Sequence, residues 1–194
     1  MGVERLQQEL GLAVRWVPFP LHPETPPEGR SLDDLFAGTG VDLDGMLERM
    51  HATAHGLGLP VGDRRHTYNS RLAQELAEWA EHRGQGEAFR SGVYRAYFAD
   101  GANLAESEVL TGIAQAAGLP ADEARQILAG RTYSAAVDAH WQRATTLGVR
   151  AVPAHRFRGA IAVGYHPYPE LRRFLISNGA GAAIQPTARP EPSF

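Results

Sequence analysis

The chain contains no cysteine among its 194 residues. This absence excludes disulfide bonds, a thiolate nucleophile and zinc sites built on cysteine. No apolar stretch approaches the roughly 20 residues that a membrane-spanning helix needs, and the first residues lack the apolar core of a secretory signal. We therefore expect a protein of the cytoplasm, without a bound metal or other cofactor.

An excess of charge of one sign is also absent. The chain has 19 basic and 22 acidic side chains, which are interspersed and give a formal net charge of -3. Without a basic run, neither nucleic acid nor an anionic membrane surface is an expected partner. The hydrophobic fraction of 43% is enough for the core of one domain, or of one domain with a large insertion.

Hydrophobic periodicity gives a first outline of the secondary structure. Residues 3–10 have the apolar spacing of a helix, and residues 13–19 form a β-branched and aromatic run that is typical of a strand. Residues 31–147 have helical periodicity, with several helices ended by glycine. Six helices are expected in this block, around residues 43–57, 70–84, 89–98, 109–118, 124–130 and 134–147.

After Gly148 the period changes to that of strands. Residues 154–158 and 161–165 predict two strands joined by a Gly-Ala turn, and residues 167–179 predict a terminal helix. Residues 180–194 are rich in alanine and proline and have almost no periodicity, which is typical of a disordered tail.

Three separated blocks of the chain carry a family resemblance. They are VRWVPFPLHPETPPEG at residues 14–29, the helical stretch at residues 68–120, and LGVRAVPAHRFRGAIAVGYHPYPELRRFL at residues 147–175. In the same order, these blocks resemble the DsbA-like FrnE proteins, which are thiol-disulfide oxidoreductases related to the 2-hydroxychromene-2-carboxylate isomerases. The resemblance covers residues 3–175.

The resemblance implies an α/β, thioredoxin-like fold with a large all-helical insertion and with its first strand missing. Residues 1–30 and 148–179 would form the two thioredoxin-like half-domains. Residues 31–147 would form the insertion, and residues 180–194 the tail.

The same resemblance implies that this sequence lacks an N-terminal segment of the family. Chains of the family begin with a strand and a Cys-x-x-Cys motif at the start of the first helix, where the helix N-terminus lowers the thiol pKa. This sequence starts inside that helix. Either a segment upstream of Met1 carries the motif, which we favour, or the short chain is the product and is catalytically inactive. In both cases, the 194 residues should not exchange dithiols.

The missing strand also affects the expected sheet. In the family's topology it lies between the second strand and the hairpin. The strand at residues 13–19 would then either pair with the strand around Arg156 and Phe157, or leave its backbone groups exposed on both sides.

The resemblance also suggests substrate-binding residues. Pro153, after Val152, matches a proline that follows a cis peptide bond and faces the family's active-site thiols, while the neighbouring backbone pairs with an extended substrate. X-Pro is the only bond at which the cis form costs little. Asn69 and Ser70 match a position that borders the active-site groove. By residue type alone they are helix N-caps, and the two roles are compatible.

Protein thiols, extended peptides and glutathione are the partners that the resemblance suggests. Two alternatives to dithiol exchange stay open. One is a glutathione-dependent isomerase, which would need a serine in the missing segment. The other is a non-catalytic module that holds extended peptides in the groove at Pro153.

Several histidines and aromatic residues are weaker candidates. His51 and His55 lie four apart on a helix and could bind a metal, but a solvated pair is the simpler interpretation. His22, His155 and His166 lie on loops that would converge in this fold, where they could form a polar cluster. Packing is the expected role of five further residues, although one of the tyrosines could face the groove: Phe89, Tyr94, Tyr97, Phe98 and His140.

Overall fold

The computed structural model describes residues 2–181, and helices dominate its secondary structure. The helices are α1 (Gly2–Leu10), α2 (Leu32–Phe36), α3 (Leu43–Gly56), α4 (Arg71–His82), α5 (Gly86–Phe98), α6 (Ser107–Ala116), α7 (Ala121–Gly130), α8 (Ser134–Thr146) and α9 (Tyr168–Ser177). The strands are β1 (Arg30–Ser31), β2 (His66–Thr67), β3 (Ala154–Phe157) and β4 (Ala160–Val163). Within this range, no helix is both long and apolar enough to cross a membrane. All six helices expected in the middle of the chain are confirmed.

The chain folds as two compact units. The first unit comprises Met1–Val17 and Thr145–Phe194, and the second comprises Pro18–Ala144. Two distant parts of the sequence therefore build one unit, and the segment between them builds the other.

The second unit has an apolar core on α4 to α7. On α4, the side chains of Ala73, Leu76 and Ala80 recur every three or four residues, so they lie on one face of the helix and are buried there. Phe89 of α5 is fully buried in the same core. Burial of each large side chain contributes about 1.5–3 kcal/mol, so this core stabilises the helical arrangement.

A buried carboxylate links two helices of this unit. Glu75 of α4 is 1% exposed, and it accepts hydrogen bonds from Arg71 Nε at 2.7 Å and from Arg131 Nη2 at 2.7 Å. Burial alone would raise the pKa of Glu75, but the bonds from Arg131 and Arg71 hold it below its usual value of 4.5. The ion pair therefore fixes the end of α7 against α4.

The second unit also contains a small sheet that the periodicity does not predict. Strands β1 and β2 are antiparallel and pair Arg30 with Thr67 and Ser31 with His66. Each strand is two residues long, which is too short for an alternation of polar and apolar residues to be visible.

The first unit contains a β-hairpin. Strands β3 and β4 are antiparallel, with Phe157 opposite Ala160. Arg158 and Gly159 form the turn, and their φ angles of 47° and 93° are both positive, as in a type I′ turn. The hairpin is confirmed, but the predicted Gly-Ala turn is wrong by one residue. Arg158 occupies a left-handed position that sequence patterns reserve for glycine or asparagine.

Helices α1 and α9 complete the first unit. Leu6 of α1 packs with Leu171 and Leu175 of α9 in a small buried cluster, and Phe157 of β3 lies against it. The predicted tail at 180–194 lies mostly outside the described residues. Ala180, however, is 6% exposed and belongs to this cluster, so the folded part extends beyond the predicted boundary at residue 179.

The predicted strand at residues 13–19 is wrong. This segment has no regular secondary structure, and Val14, Trp16 and Val17 are 39%, 46% and 43% exposed. Among the described residues, the two sheets contain only β1 with β2 and β3 with β4. Strand propensity requires a partner strand for the backbone, and none of the described strands pairs with this segment.

Candidate functional site

The four predicted binding residues lie in different units. Val152 and Pro153 belong to the first unit and directly precede β3, whereas Asn69 and Ser70 belong to the second unit and directly precede α4. The peptide bond between Val152 and Pro153 is cis. Val152 is 43% exposed, and Pro153 is also exposed.

The hairpin register decides which backbone groups of β3 are free. Gly164 N donates to Pro153 O at 2.8 Å, so the pair of Pro153 and Gly164 is a hydrogen-bonded one. In an antiparallel ladder, hydrogen-bonded and non-hydrogen-bonded pairs alternate. The N–H and C=O groups of Ala154 and Arg156 therefore point away from β4, toward the outer edge of β3.

This outer edge is open among the described residues. Neither Ala154 nor Arg156 has a backbone hydrogen bond outside the hairpin. The outer edge of β4 differs, because the carbonyl of Val163 accepts a hydrogen bond from His166 Nε2 at 3.1 Å. Both edges therefore present unpaired backbone groups to another strand, at Ala154 and Arg156 on β3 and at Ile161 on β4, and β3 has the longer open stretch.

The hairpin has one covered face and one exposed face. Phe157 is on the covered face, against the cluster of α1 and α9. The exposed face carries Ile161 and Val163 of β4 at 36% and 50% exposure, and it continues through Val152 and Tyr165 at 43% and 57%. Exposed apolar side chains on one face make the hairpin a candidate binding surface.

Two of the three predicted histidines meet at this hairpin. The rings of His155 and His166 are 6.4 Å apart, and His166 Nδ1 lies 3.5 Å from Glu170 Oε2. Burial and the neighbouring His166 together lower the pKa of His155 below its usual value of 6.5. His22 lies in the second unit, where its ring faces Glu24 at 3.6 Å.

Asn69 holds a loop of the second unit in place. Its Nδ2 donates to the carbonyl of Thr25 at 2.7 Å, and its Oδ1 accepts from the Arg71 N–H at 2.9 Å. Ser70 occupies the N-cap position of α4 but makes no side-chain capping bond, and its Oγ accepts from Gln74 Nε2 at 3.0 Å. Asn69 thus supplies the bond that caps the helix start. The role of both residues at a groove stays a prediction.

Most of the weaker candidates are packed in the fold. His140 is 8% exposed and its Nε2 lies 3.2 Å from Glu78 Oε1. Phe89 is buried in the core, whereas the expectation of packing is wrong for Tyr94, which is 52% exposed. Within residues 2–181, no group of three or more His, Asp or Glu side chains could hold a metal ion.

Sequence reasoning did not identify Ala154 and Arg156 as site residues. The sequence could have identified them, because the position of the turn fixes which backbone N–H and C=O groups of β3 pair with β4 and which face the outer edge. With the turn at Gly159 and Ala160 instead of Arg158 and Gly159, the alternation shifts and the wrong residues face the edge.

The family profile of DSBA-like thioredoxin domains matches residues 1–175 of this chain. The chain therefore belongs to the DSBA-like thioredoxin domain family. Its fold is a DsbA-like thioredoxin fold in which helices dominate and strands are few.

Solved structures agree with this assignment. The chain is similar to a probable DsbA oxidoreductase from Streptomyces coelicolor, with 25% identity, a TM-score of 0.81 and coverage of 91% of this chain and 82% of the other. It also shares its fold with a 2-hydroxychromene-2-carboxylate isomerase, with 18% identity, a TM-score of 0.66 and coverage of 90% and 84%. No curated protein sequence matches the chain at a significant level.

The chemistry of these 194 residues is limited by their side chains. Thiol-disulfide exchange begins with a thiolate, and the chain has no cysteine. The hairpin can instead offer backbone hydrogen bonds along one edge and apolar contacts on one face. These two features together suit an extended polypeptide.

Proposed function

We propose that these 194 residues, taken by themselves, bind an extended polypeptide segment along the outer edge of β3, beside the hairpin, where the family's topology places its first strand. The observation that carries the proposal is the open edge formed by the backbone groups of Ala154 and Arg156. A bound segment adds a third strand, and its side chains lie beside the apolar face of Ile161 and Val163.

The proposal separates binding from redox chemistry. Because the chain has no thiol, any exchange on the bound segment needs thiols from outside these 194 residues. Binding by the edge needs none, so peptides without cysteine are suitable ligands. The proposed partners are unfolded or extended protein segments in the cytoplasm, with glutathione as the small-molecule alternative.

Removal of one edge N–H tests this proposal. In Ala154→Pro, the lost N–H faces the outer edge of β3, and the ladder to β4 keeps its hydrogen bonds. The matched control is Ile161→Pro, which removes the equivalent outward N–H from β4. Each variant is titrated, by fluorescence anisotropy, into a labelled and cysteine-free peptide of about eight β-branched and polar residues.

We expect Ala154→Pro to weaken peptide binding at least about fivefold, since one strand-pairing bond contributes about 1 kcal/mol. Ile161→Pro should weaken binding less than Ala154→Pro does, because it removes an apolar side chain of the exposed face but no N–H of the β3 edge. The same peptide with N-methyl groups at alternate residues gives a test that does not depend on the folding of a variant. Equal binding of the methylated and unmodified peptides would refute edge pairing.

The redox part has its own test. We expect the purified chain to give no reduction of insulin disulfides above the background rate of dithiothreitol alone. A DsbA-like protein that retains its dithiol serves as the positive control. Turnover by the 194-residue chain would refute the statement that it lacks redox chemistry.

A further inference from the structure

Helix α3 is less buried than helix α4, although it is longer. Leu47, at 7% exposure, is the only buried residue among the 14 of α3. Helix α4 has 12 residues, and five of them are buried, including Leu76 and Trp79. Among the residues that the structure describes, neither the buried core of α4 to α7 nor the partly buried apolar side chains packed on it include a member of α2 or α3. The core of the second unit therefore does not use α3.

One exposed ion pair ties α3 to its surroundings. In the part of the chain that the structure describes, α3 makes a single hydrogen bond beyond its own flanking turns, in which Arg65 Nη2 donates to Asp44 Oδ1 at 2.7 Å. The side chain of Asp44 is 74% exposed and that of Arg65 is 45% exposed. Because exposed ion pairs contribute little to stability, this contact holds α3 only weakly.

The segments before and after α3 are fixed more firmly. At the start of α2, the N–H of Leu32 donates to the carbonyl of Arg65 at 2.8 Å. After α3, the N–H of Gly62 donates at 2.8 Å to the carbonyl of Phe98, the last residue of α5. Helix α3 thus lies between two anchored parts of the chain.

A glycine with a left-handed backbone lies in the turn on each side of α3. Gly40 precedes the helix with φ of 75°, and Gly58 follows it with φ of 66°. A Cβ atom added at either glycine would meet no heavy atom within 4 Å, apart from those of its chain neighbours. The apolar residues beside these turns are also open to solvent, since Val41 and Leu59 are 44% and 45% exposed. Both turns have the space and the backbone freedom to act as hinges.

We propose that α3 is an arm that opens about the turns at Gly40 and Gly58 while the core of α4 to α7 stays folded. Opening breaks the ion pair of α3 with Arg65 and separates α3 from α2, against which it packs. It uncovers Leu47 together with Met46 and Met50, which are half-buried in the closed arm. Local units that bury few apolar side chains open at a small fraction of the free energy of global unfolding. The open arm presents an adaptable, methionine-containing apolar surface that the closed arm covers.

Amide hydrogen exchange of the unmodified 194-residue chain, followed by NMR, measures the opening of each helix separately. We expect the protection factors in α3 to be at least about a hundredfold smaller than those in α4, because α3 exchanges through its own opening and α4 only when the core unfolds. Equal protection in the two helices would mean that they unfold together, and it would overturn the proposal.

Removal of the ion pair tests whether α3 opens alone. In Arg65→Met, we expect protection in α3 to fall about two- to fivefold, as for the loss of an exposed ion pair, and protection in α4 to stay unchanged. The matched control is Arg125→Met, which removes the exposed pair with Glu108 and should leave protection in α3 unchanged. A fall by the same factor in α3 and α4 of Arg65→Met would contradict separate opening.

The absence of cysteine allows a second readout. Leu47→Cys places the only thiol of the chain on α3, and the matched control Leu76→Cys places it in the core on α4. Urea denaturation first establishes that both variants are folded. In native buffer, the thiol of Leu47→Cys should react with a chromogenic aromatic disulfide at least about tenfold faster than that of Leu76→Cys. Equal rates in two folded variants would refute the arm, and the exchange measurement decides the proposal without any substitution.

Discussion

At the scale of single residues, the chain has two kinds of charged group. Glu75 is buried with Arg71 and Arg131, so its charge serves the fold. Arg156 is exposed on the hairpin without an ion pair to a described residue, so its charge does not stabilise the fold in this way. The local environment, and not the residue type, decides whether a charged group is structural.

Substitution of Glu75 tests whether its buried charge stabilises the fold. We expect Glu75→Gln to lower the free energy of unfolding by about 2 kcal/mol, because two guanidinium groups lose their charged acceptor while Arg131 can still reach water. Urea denaturation followed by circular dichroism measures the change. Glu108→Gln removes an exposed partner of Arg125 and should have no measurable effect. An equal loss in both variants would contradict the structural role of Glu75.

His155 predicts a pH dependence of stability. Its pKa is lowered in the folded chain, so the unfolded chain takes up the proton at higher pH. The free energy of unfolding should therefore decrease as the pH falls below about 6.5 and be unaffected by this residue above that value. His155→Asn should reduce the loss between pH 7 and pH 5. An unchanged pH profile of His155→Asn would contradict the assignment.

At the scale of elements, the turn of the hairpin holds the binding edge in register. Arg158 adopts a left-handed conformation, which costs a non-glycine residue roughly 1–2 kcal/mol. The sequence thus accepts strain at a position where asparagine would fit a type I′ turn better. A one-residue shift of this turn would exchange the edge-facing residues of β3.

Replacement of the turn residues tests this geometry. We expect Arg158→Asn to raise the melting temperature, because asparagine tolerates the left-handed region. The free energy of unfolding should increase by up to about 1 kcal/mol. Gly159→Ala should lower it, since its φ of 93° is unfavourable for any side chain. Thermal denaturation of both variants gives the result. Destabilisation by Arg158→Asn would mean that the arginine side chain, and not the backbone, sets the turn's stability.

Comparison of the elements also indicates what sequence can predict. The helices around Leu76 and Phe89 were predictable because their apolar residues repeat at the helical period. The segment of Val14 and Val17 was misassigned, because strand propensity describes what a residue tolerates and not whether a partner strand exists. The contacts of Asn69 were not predictable, because its partner Thr25 is 44 positions away in the chain.

At the scale of the whole molecule, the two compact units have different properties. The second unit, Pro18–Ala144, contains the larger buried core, whereas the first unit has a small cluster around Leu6 and Leu171 and carries the open hairpin. Stability and the candidate binding surface are thus largely carried by different parts of the chain.

Truncation tests this division. We expect a fragment of residues 18–144 to fold cooperatively with high helical content, because its core lies entirely within that range. Circular dichroism and urea denaturation measure its helicity and transition. The full chain is the reference. A fragment without a cooperative transition would mean that its core depends on the first unit.

Membership of the DSBA-like thioredoxin domain family defines the fold, while the absence of cysteine limits what this chain can do with it. The central proposal is that the outer edge of β3 pairs with an extended polypeptide. Amide hydrogen exchange, measured by NMR with and without a saturating cysteine-free peptide, tests this claim most directly. Exchange at Ala154 and Arg156 should slow markedly when the peptide binds. Binding of the peptide with unchanged exchange at both amides would contradict the account.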